Sequence, residues 1–193
     1  MKGKVFVSMI AAMFSLSTIA QVKGQTYVVD KNGDIMITKI IEGLAMNKHE
    51  ILSAAQKYME EAYRDTKYKI VINSTENGVV AGEGEYLQFH EDRIFPYSYF
   101  LNAPMMLRVD AKDGRARIAI ILSYYTGKRS NINETEDIHD RISEFQPVNE
   151  QQTERRKLYN AAFPVLVQKA QITLKEVEEA LKTSRNISID NDW

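Results

Sequence analysis

The chain has 193 residues, a formal net charge of −1, 44% hydrophobic residues and no cysteine. That hydrophobic content is the composition of a folded domain and excludes a largely disordered chain. The balanced charge, with no long basic tract, excludes the electrostatic footprint of a nucleic-acid binder. The missing cysteines exclude disulfides, thiolate metal sites and a lipid-modified cysteine at a processing site.

The N-terminus reads as an export signal. Lys2 and Lys4 form a short positive region, and Val5 to Ala20 is apolar without one charge. Thr18 and Ala20 occupy the −3 and −1 positions of a cleavage site before Gln21, and Gly24 or Gln25 offers a second. The apolar run is shorter than the ~18 residues of a membrane span. A buried N-terminal helix or a membrane anchor is the alternative. With residues 1–20 removed, about 170 residues remain, enough for one domain with a sizeable core. Loss of Lys2 and Lys4 leaves a net charge of −3. The expected product is exported, periplasmic or extracellular, not lipid-anchored, and without a membrane span.

Tyr27 to Val29 is a short strand, followed by a turn at Asn32-Gly33 and a β-rich segment from Ile35 to Glu42. Asn47 caps a helix, with Glu50 placed to complete a capping box and Met46 and Ile51 at the spacing of a hydrophobic staple. Ile51, Leu52, Ala55, Tyr58, Met59 and Ala62 form its apolar stripe, which ends near Arg64. Tyr68 to Asn73 alternates, placing Tyr68, Ile70 and Ile72 on one face. A turn at Asn77-Gly78 leads into extended structure from Val79 to Phe89. There Gly82-Glu83-Gly84 suggests a bulge or a close backbone approach, and lacks the Lys-Ser/Thr of a phosphate loop.

The strongest hairpin signal is Asp113-Gly114. It fixes a register in which Val109 faces Ile118, Leu107 faces Ile120 and Met105 faces Leu122 on the core side. Asp110 meets Arg117 and Arg108 meets Ala119 on the other side, the charge pair contributing at most about 1 kcal/mol. Thr126 to Pro147 reads as a polar, irregular loop with a helical turn around Ile138 and Ile142. Asn149 with Gln152 resembles a cap before a helical stripe from Leu158 to Leu166, which Pro164 interrupts. Thr173 with Glu176 forms a further capping box before Leu174, Val177 and Leu181. Either two helices or one kinked helix satisfies this pattern.

The expected architecture is α+β, an antiparallel sheet of about five to six strands with helices packed on one face. Residues 26–184 form the domain and 185–193 a loose tail. Several stretches carry a family resemblance. They are Val29 to Gly33 leading into the Ile37 to Ile41 strand, the Asn47 helix, Glu76 to Gly84, and Asp110 to Arg117. Through them the region Tyr27 to Tyr125 resembles an uncharacterised family of secreted bacterial proteins, common in Bacteroides-type organisms, with a TATA-binding-protein-like fold. The resemblance implies a shape. It implies no activity and no site residues, and the fold name does not imply DNA binding.

No catalytic or metal-ligand motif stands above background, and no cofactor is expected. His49 lies in a first helical turn. His139, in Glu136 to Asp140, sits in an acidic stretch that could hold a hard cation but lacks the ligand spacing of a calcium loop. Glu83 and Glu85, two apart on a strand, point the same way; paired carboxylates can run glycoside hydrolysis, but strand neighbours more often simply face solvent. The candidate surface is the second sheet face, where Met106, Arg108, Arg117, Ile121 and Tyr125 mix apolar and basic character suited to a protein or acidic glycan partner. The alternative is that the Thr126 to Pro147 loop covers this face. Tyr97, Tyr99 and Phe100 beside Pro96 form an aromatic loop that extends the face or plugs the core edge. The expectation is a non-enzymatic binding module. The alternatives are a small envelope hydrolase using Glu83/Glu85 or His90/Glu91, and an assembly component pairing through a sheet edge.

Overall fold

The computed structural model describes residues 18–22, 25–63, 69–145 and 153–189. The apolar run before Thr18, the Asn149/Gln152 pair, Tyr68 and the proposed helix end at Arg64 lie outside the described residues.

The element order is β1 (Thr18–Val22), β2 (Gln25–Val29), β3 (Ile35–Glu42), α1 (Lys48–Ala62), β4 (Lys69–Ser74), β5 (Val79–Ile94), β6 (Tyr97–Lys112), β7 (Arg115–Leu122), β8 (Tyr124–Ser130), β9 (Thr135–Arg141), a 3-10 turn (Ile142–Phe145) and α2 (Glu154–Ile189). The described strands form one antiparallel sheet in the order β1-β2-β3-β7-β6-β5-β4, with β8 added to β6 and β9 added to β8. Nine strands therefore replace the expected five to six. β1 is paired along its whole length with β2, in the stretch where the proposed cleavage before Gln21 falls.

Alternation along β3, β6 and β7 builds the core. Ile37, Leu107, Ile118 and Ile120 are fully buried on one face. The β6–β7 register matches the one that Asp113-Gly114 dictates: Val109 opposite Ile118, Leu107 opposite Ile120, Met105 opposite Leu122. A one-residue slip would bring Arg108 and Arg117 into this core, so burial fixes the register. α1 and α2 pack on this face, contributing Ile51, Met59, Phe163 and Val177. Lys39 reaches the helix layer from β3 and pairs with Glu178 of α2.

The start of α1 follows its sequence signal closely. The Asn47 side chain accepts from the backbone N–H groups of His49 and Glu50, and Glu50 accepts from the Asn47 N–H. The hairpin tip is tied to the same place, because Asp113 Oδ1 accepts from Lys48 N at 2.7 Å and Met46 O accepts from Gly114 N.

Several expectations are corrected. Thr126 to Arg141 is a β-hairpin, not a loop: it has few apolar residues because its stability comes from pairing with β6 at a distant point in the chain. Tyr97, Tyr99 and Phe100 lie within β6, with Tyr99 buried. Thr173 and Glu176 do not cap a helix. They lie inside the single helix α2, which passes through Pro164, and they serve as side-chain partners: Tyr86 Oη donates to Thr173 Oγ1 and Tyr58 Oη to Glu176. Thr153 caps α2 instead, accepting from Arg156 N. The helix runs to Ile189, into the segment expected to be a tail from residue 185. In β4 a register irregularity between Ile70 and Ile72 puts these two opposite Gly82 and Ala81, hence on opposite faces.

β8 approaches β6 so closely that a Cβ on Gly127, at φ +143, would meet Phe100 O at 1.9 Å. Gly43 also has positive φ, +71, but open space around it. Gly43→Ala should therefore cost only the left-handed backbone term, about 1 to 2 kcal/mol. Gly127→Ala should cost at least about 3 kcal/mol, because strain and a backbone clash add. Denaturant unfolding of the two variants checks this order.

Candidate functional site

The helices cover one face of the sheet. The opposite face bears Thr38, Ile40, Met106, Arg108, Arg117 and Ile121, with Ile40 60% exposed, and no described helix packs on it. Met106 lies opposite Ile121, Arg108 opposite Ala119 and Asp110 opposite Arg117. Four of the five residues expected on this face are thus placed together on it.

Tyr125 is not. Strict alternation from Ile121 would carry it to the open face, but the chain shifts phase at Ser123, between β7 and β8. Tyr125 is fully buried, stacked on Tyr159 of α2 at 4.4 Å and on Phe89 at 6.2 Å. Burial pushes its hydroxyl pKa up, and the hydroxyl has no hydrogen-bond partner among the described residues. The residue facing the open side is Tyr124, stacked on His139.

The open face has two chemically different ends. At the α1 end, Asp110 takes both arginines: Arg108 Nη2 lies 2.6 Å from Oδ1 and Arg117 Nη2 lies 2.9 Å from Oδ2. The two guanidiniums are therefore partly neutralised within the domain, which weakens their claim to an acidic glycan. A small concavity of about 350 Å³ lies here, beside Ile40, Asp110, Arg115 and Arg117.

At the other end a groove of about 810 Å³ opens where β7 leaves β6 and β8 takes its place. Asp30, Asn32 and Asp34 of the β2–β3 turn line one side, and Glu83, Glu85 and Leu87 of β5 the other. Met106 and Ile121 lie between, with Pro104 and Tyr124 toward the end. Asp30 is held by its own turn, its Oδ1 accepting from Asn32 N at 2.7 Å and Asp34 N at 2.9 Å. Glu85 accepts from Thr126 Oγ1 at 3.3 Å. Asp34 lies 3.5 Å from Arg141 Nη2, which is outside the groove lining. Sequence reasoning noted Glu83 and Glu85 but missed Asp30 and Asp34. Their signal was a turn signature, and only the strand order β3-β7-β6-β5 brings that turn opposite β5.

His90 and Glu91 are successive residues of β5, opposite Leu101 and Phe100, and so alternate onto opposite faces. They do not form a joint site. Glu136 and Asp140 are engaged by Arg129 and Arg155. Among the described residues, no group of three or more His, Asp or Glu side chains could hold a metal ion. His49 is exposed at the start of α1.

The helix layer on one face of an antiparallel sheet defines an α+β, TATA-binding-protein-like fold, and the comparisons with solved structures agree. A TBP-like protein from Parabacteroides distasonis superposes with a TM-score of 0.57 at 14% identity, over 79% of this chain and 96% of the other. A DUF4468 family protein from Bacteroides ovatus superposes with a TM-score of 0.54 at 18% identity, over 84% and 90%. At such identities the likeness establishes fold and not function. No family profile and no curated protein matches the chain.

Burial alone would raise the Asp110 pKa, but the hydrogen bonds and charges of Arg108 and Arg117 outweigh it and hold the carboxyl below the ordinary aspartate range. A depressed native pKa stabilises the fold above the unfolded value, and that contribution fades as pH falls through the native one. Carboxyl NMR should give Asp110 a midpoint below an ordinary aspartate, raised by Arg117→Gln and by Arg108→Gln. In Asp110→Asn this component of acid destabilisation should be missing.

Proposed function

We propose that this protein is an exported, non-enzymatic binding module that works through the open sheet face. The observation that carries this reading is the groove beside Met106 and Ile121, on the one face that the described helices leave bare. Burying the apolar floor under a ligand removes partly exposed side chains from water, and the acidic sides fix orientation. Export rests on the N-terminal charge, apolar run and small-residue site. No described helix is long and apolar enough to cross a membrane.

The groove also brings Glu83 and Glu85 together, the one feature favouring a hydrolase. Paired-carboxylate hydrolysis places its two groups on either side of the bond being cleaved. Glu83 and Glu85 stand side by side on one strand, and across the groove Asp30 accepts from its own turn and Asp34 pairs with Arg141, an arrangement that suits charge presentation better than acid–base work across a bond. Pairing through the β4 edge is opposed by the irregularity between Ile70 and Ile72, which disrupts a flat edge.

Expressed from its own Met1 in a bacterial host, the protein should be recovered outside the cytoplasm with a mass beginning at Gln21 or a few residues later. Immobilised, it should retain envelope components that a Met106→Asp/Ile121→Asp variant of unchanged circular dichroism does not. A Lys57→Glu/Glu61→Lys variant, altered on the exposed side of α1, should retain them undiminished. Equal retention by the Met106/Ile121 variant, or an uncleaved cytoplasmic product, would contradict the reading.

A further inference from the structure

The groove has a charge balance different from that of the other end of the open face. The whole chain carries only −1, and elsewhere on the open face acids are matched by bases: Asp110 by Arg108 and Arg117, Glu42 by Arg115. The groove instead gathers Asp30, Asp34, Glu83 and Glu85 with no lysine or arginine among its described lining residues, and Arg141 pairs with Asp34 from outside. Like charges so grouped repel one another, and a cation relieves that repulsion.

The floor narrows the class of cation. Met106 and Ile121 lie between the acidic sides, and Leu87, 58% exposed, stands among them. A small hydrated ion would leave this apolar surface wet. A lysine or arginine side chain offers an aliphatic stem for the floor and a charged end for the rim. An extended backbone turns alternate side chains toward the floor and away from it, and a lysine or arginine on the outer side is long enough to fold its charged end back to the acidic rim. The groove volume of about 810 Å³ suits a short segment.

We infer that the groove binds a short extended peptide segment of a partner protein, in which lysine or arginine alternates with apolar residues. This rests on the reading of the open face as the binding surface and names its ligand class.

The test is calorimetry at low salt on the mature protein with three probes: an alternating Lys-Leu peptide, its Glu-Leu counterpart and spermine, each with blocked ends where it is a peptide. The Lys-Leu peptide should bind, weaken with added salt, and exceed the Glu-Leu peptide at least about tenfold. Glu83→Gln/Glu85→Gln should weaken it by about threefold to tenfold, the scale of two partly exposed charge pairs. Lys57→Glu/Glu61→Lys, a charge-conserving exchange on the exposed side of α1, should leave it within about twofold. Equal binding of the Glu-Leu peptide, or indifference to Glu83→Gln/Glu85→Gln, would overturn the inference. So would spermine binding as tightly as the peptide, since the apolar floor would then contribute nothing. If the Lys-Leu peptide does not bind while retention dependent on Met106 and Ile121 persists, this inference alone fails. If that retention is also lost, the open-face reading fails with it.

Discussion

The structure turns on the exchange of partners along one edge of β6. From Met105 to Lys112 that edge pairs with β7, and from Ser98 to Asn102 it pairs with β8. A single chain segment supplies both partners, so it must leave the edge and rejoin it around Ser123. The one-residue phase shift there turns Tyr125 inward. Its stacking between Tyr159 and Phe89 then fastens the β8–β9 wing to α2. Asp140, opposite Tyr125 in β9, accepts from Tyr159 and pairs with Arg155, so the wing is held by polar contacts as well. The opening left on the far side of the sheet becomes the groove.

Local chemistry in the sequence was enough for the parts whose stabilising contacts are close along the chain. Asn47 and Glu50 cap α1 through neighbours three residues apart, and Asp113-Gly114 sets eight paired positions of β6 and β7. The sequence was silent where contacts are distant. Thr126 to Arg141 shows little hydrophobic alternation, because among its residues the wing buries Ile138 and uses Gly127 for a close backbone approach. Thr173 and Glu176 have the spacing of a capping box, yet they meet Tyr86 and Tyr58 from other elements. Tyr125 was misplaced for a related reason: alternation is a rule within a strand, and Ser123 ends one.

The candidate site was legible as a face but not as a charge pattern. Strand alternation put Met106, Arg108, Arg117 and Ile121 together, and the arginines suggested an acidic partner. Asp110 answers both arginines, while the surplus of unneutralised charge lies at the other end, where the β2–β3 turn meets β5. This charge pattern is the basis of the inferred cationic ligand. The fold shared with the TBP-like protein and the DUF4468 family protein supplies the scaffold, and in the proposed binding these side chains would supply the specificity.

All of this depends on the second face being bare in the isolated protein. Methionine oxidation by dilute peroxide, mapped by mass spectrometry, tests that most directly, because four methionines report on the two faces. Met36 and Met106 lie on the open face and are only partly buried, whereas Met59 and Met105 belong to the core. Met36 and Met106 should oxidise at least about tenfold faster than Met59 and Met105, since sulfur oxidation follows exposure. Equal protection of Met106 and Met105 would show the face covered and would contradict the account.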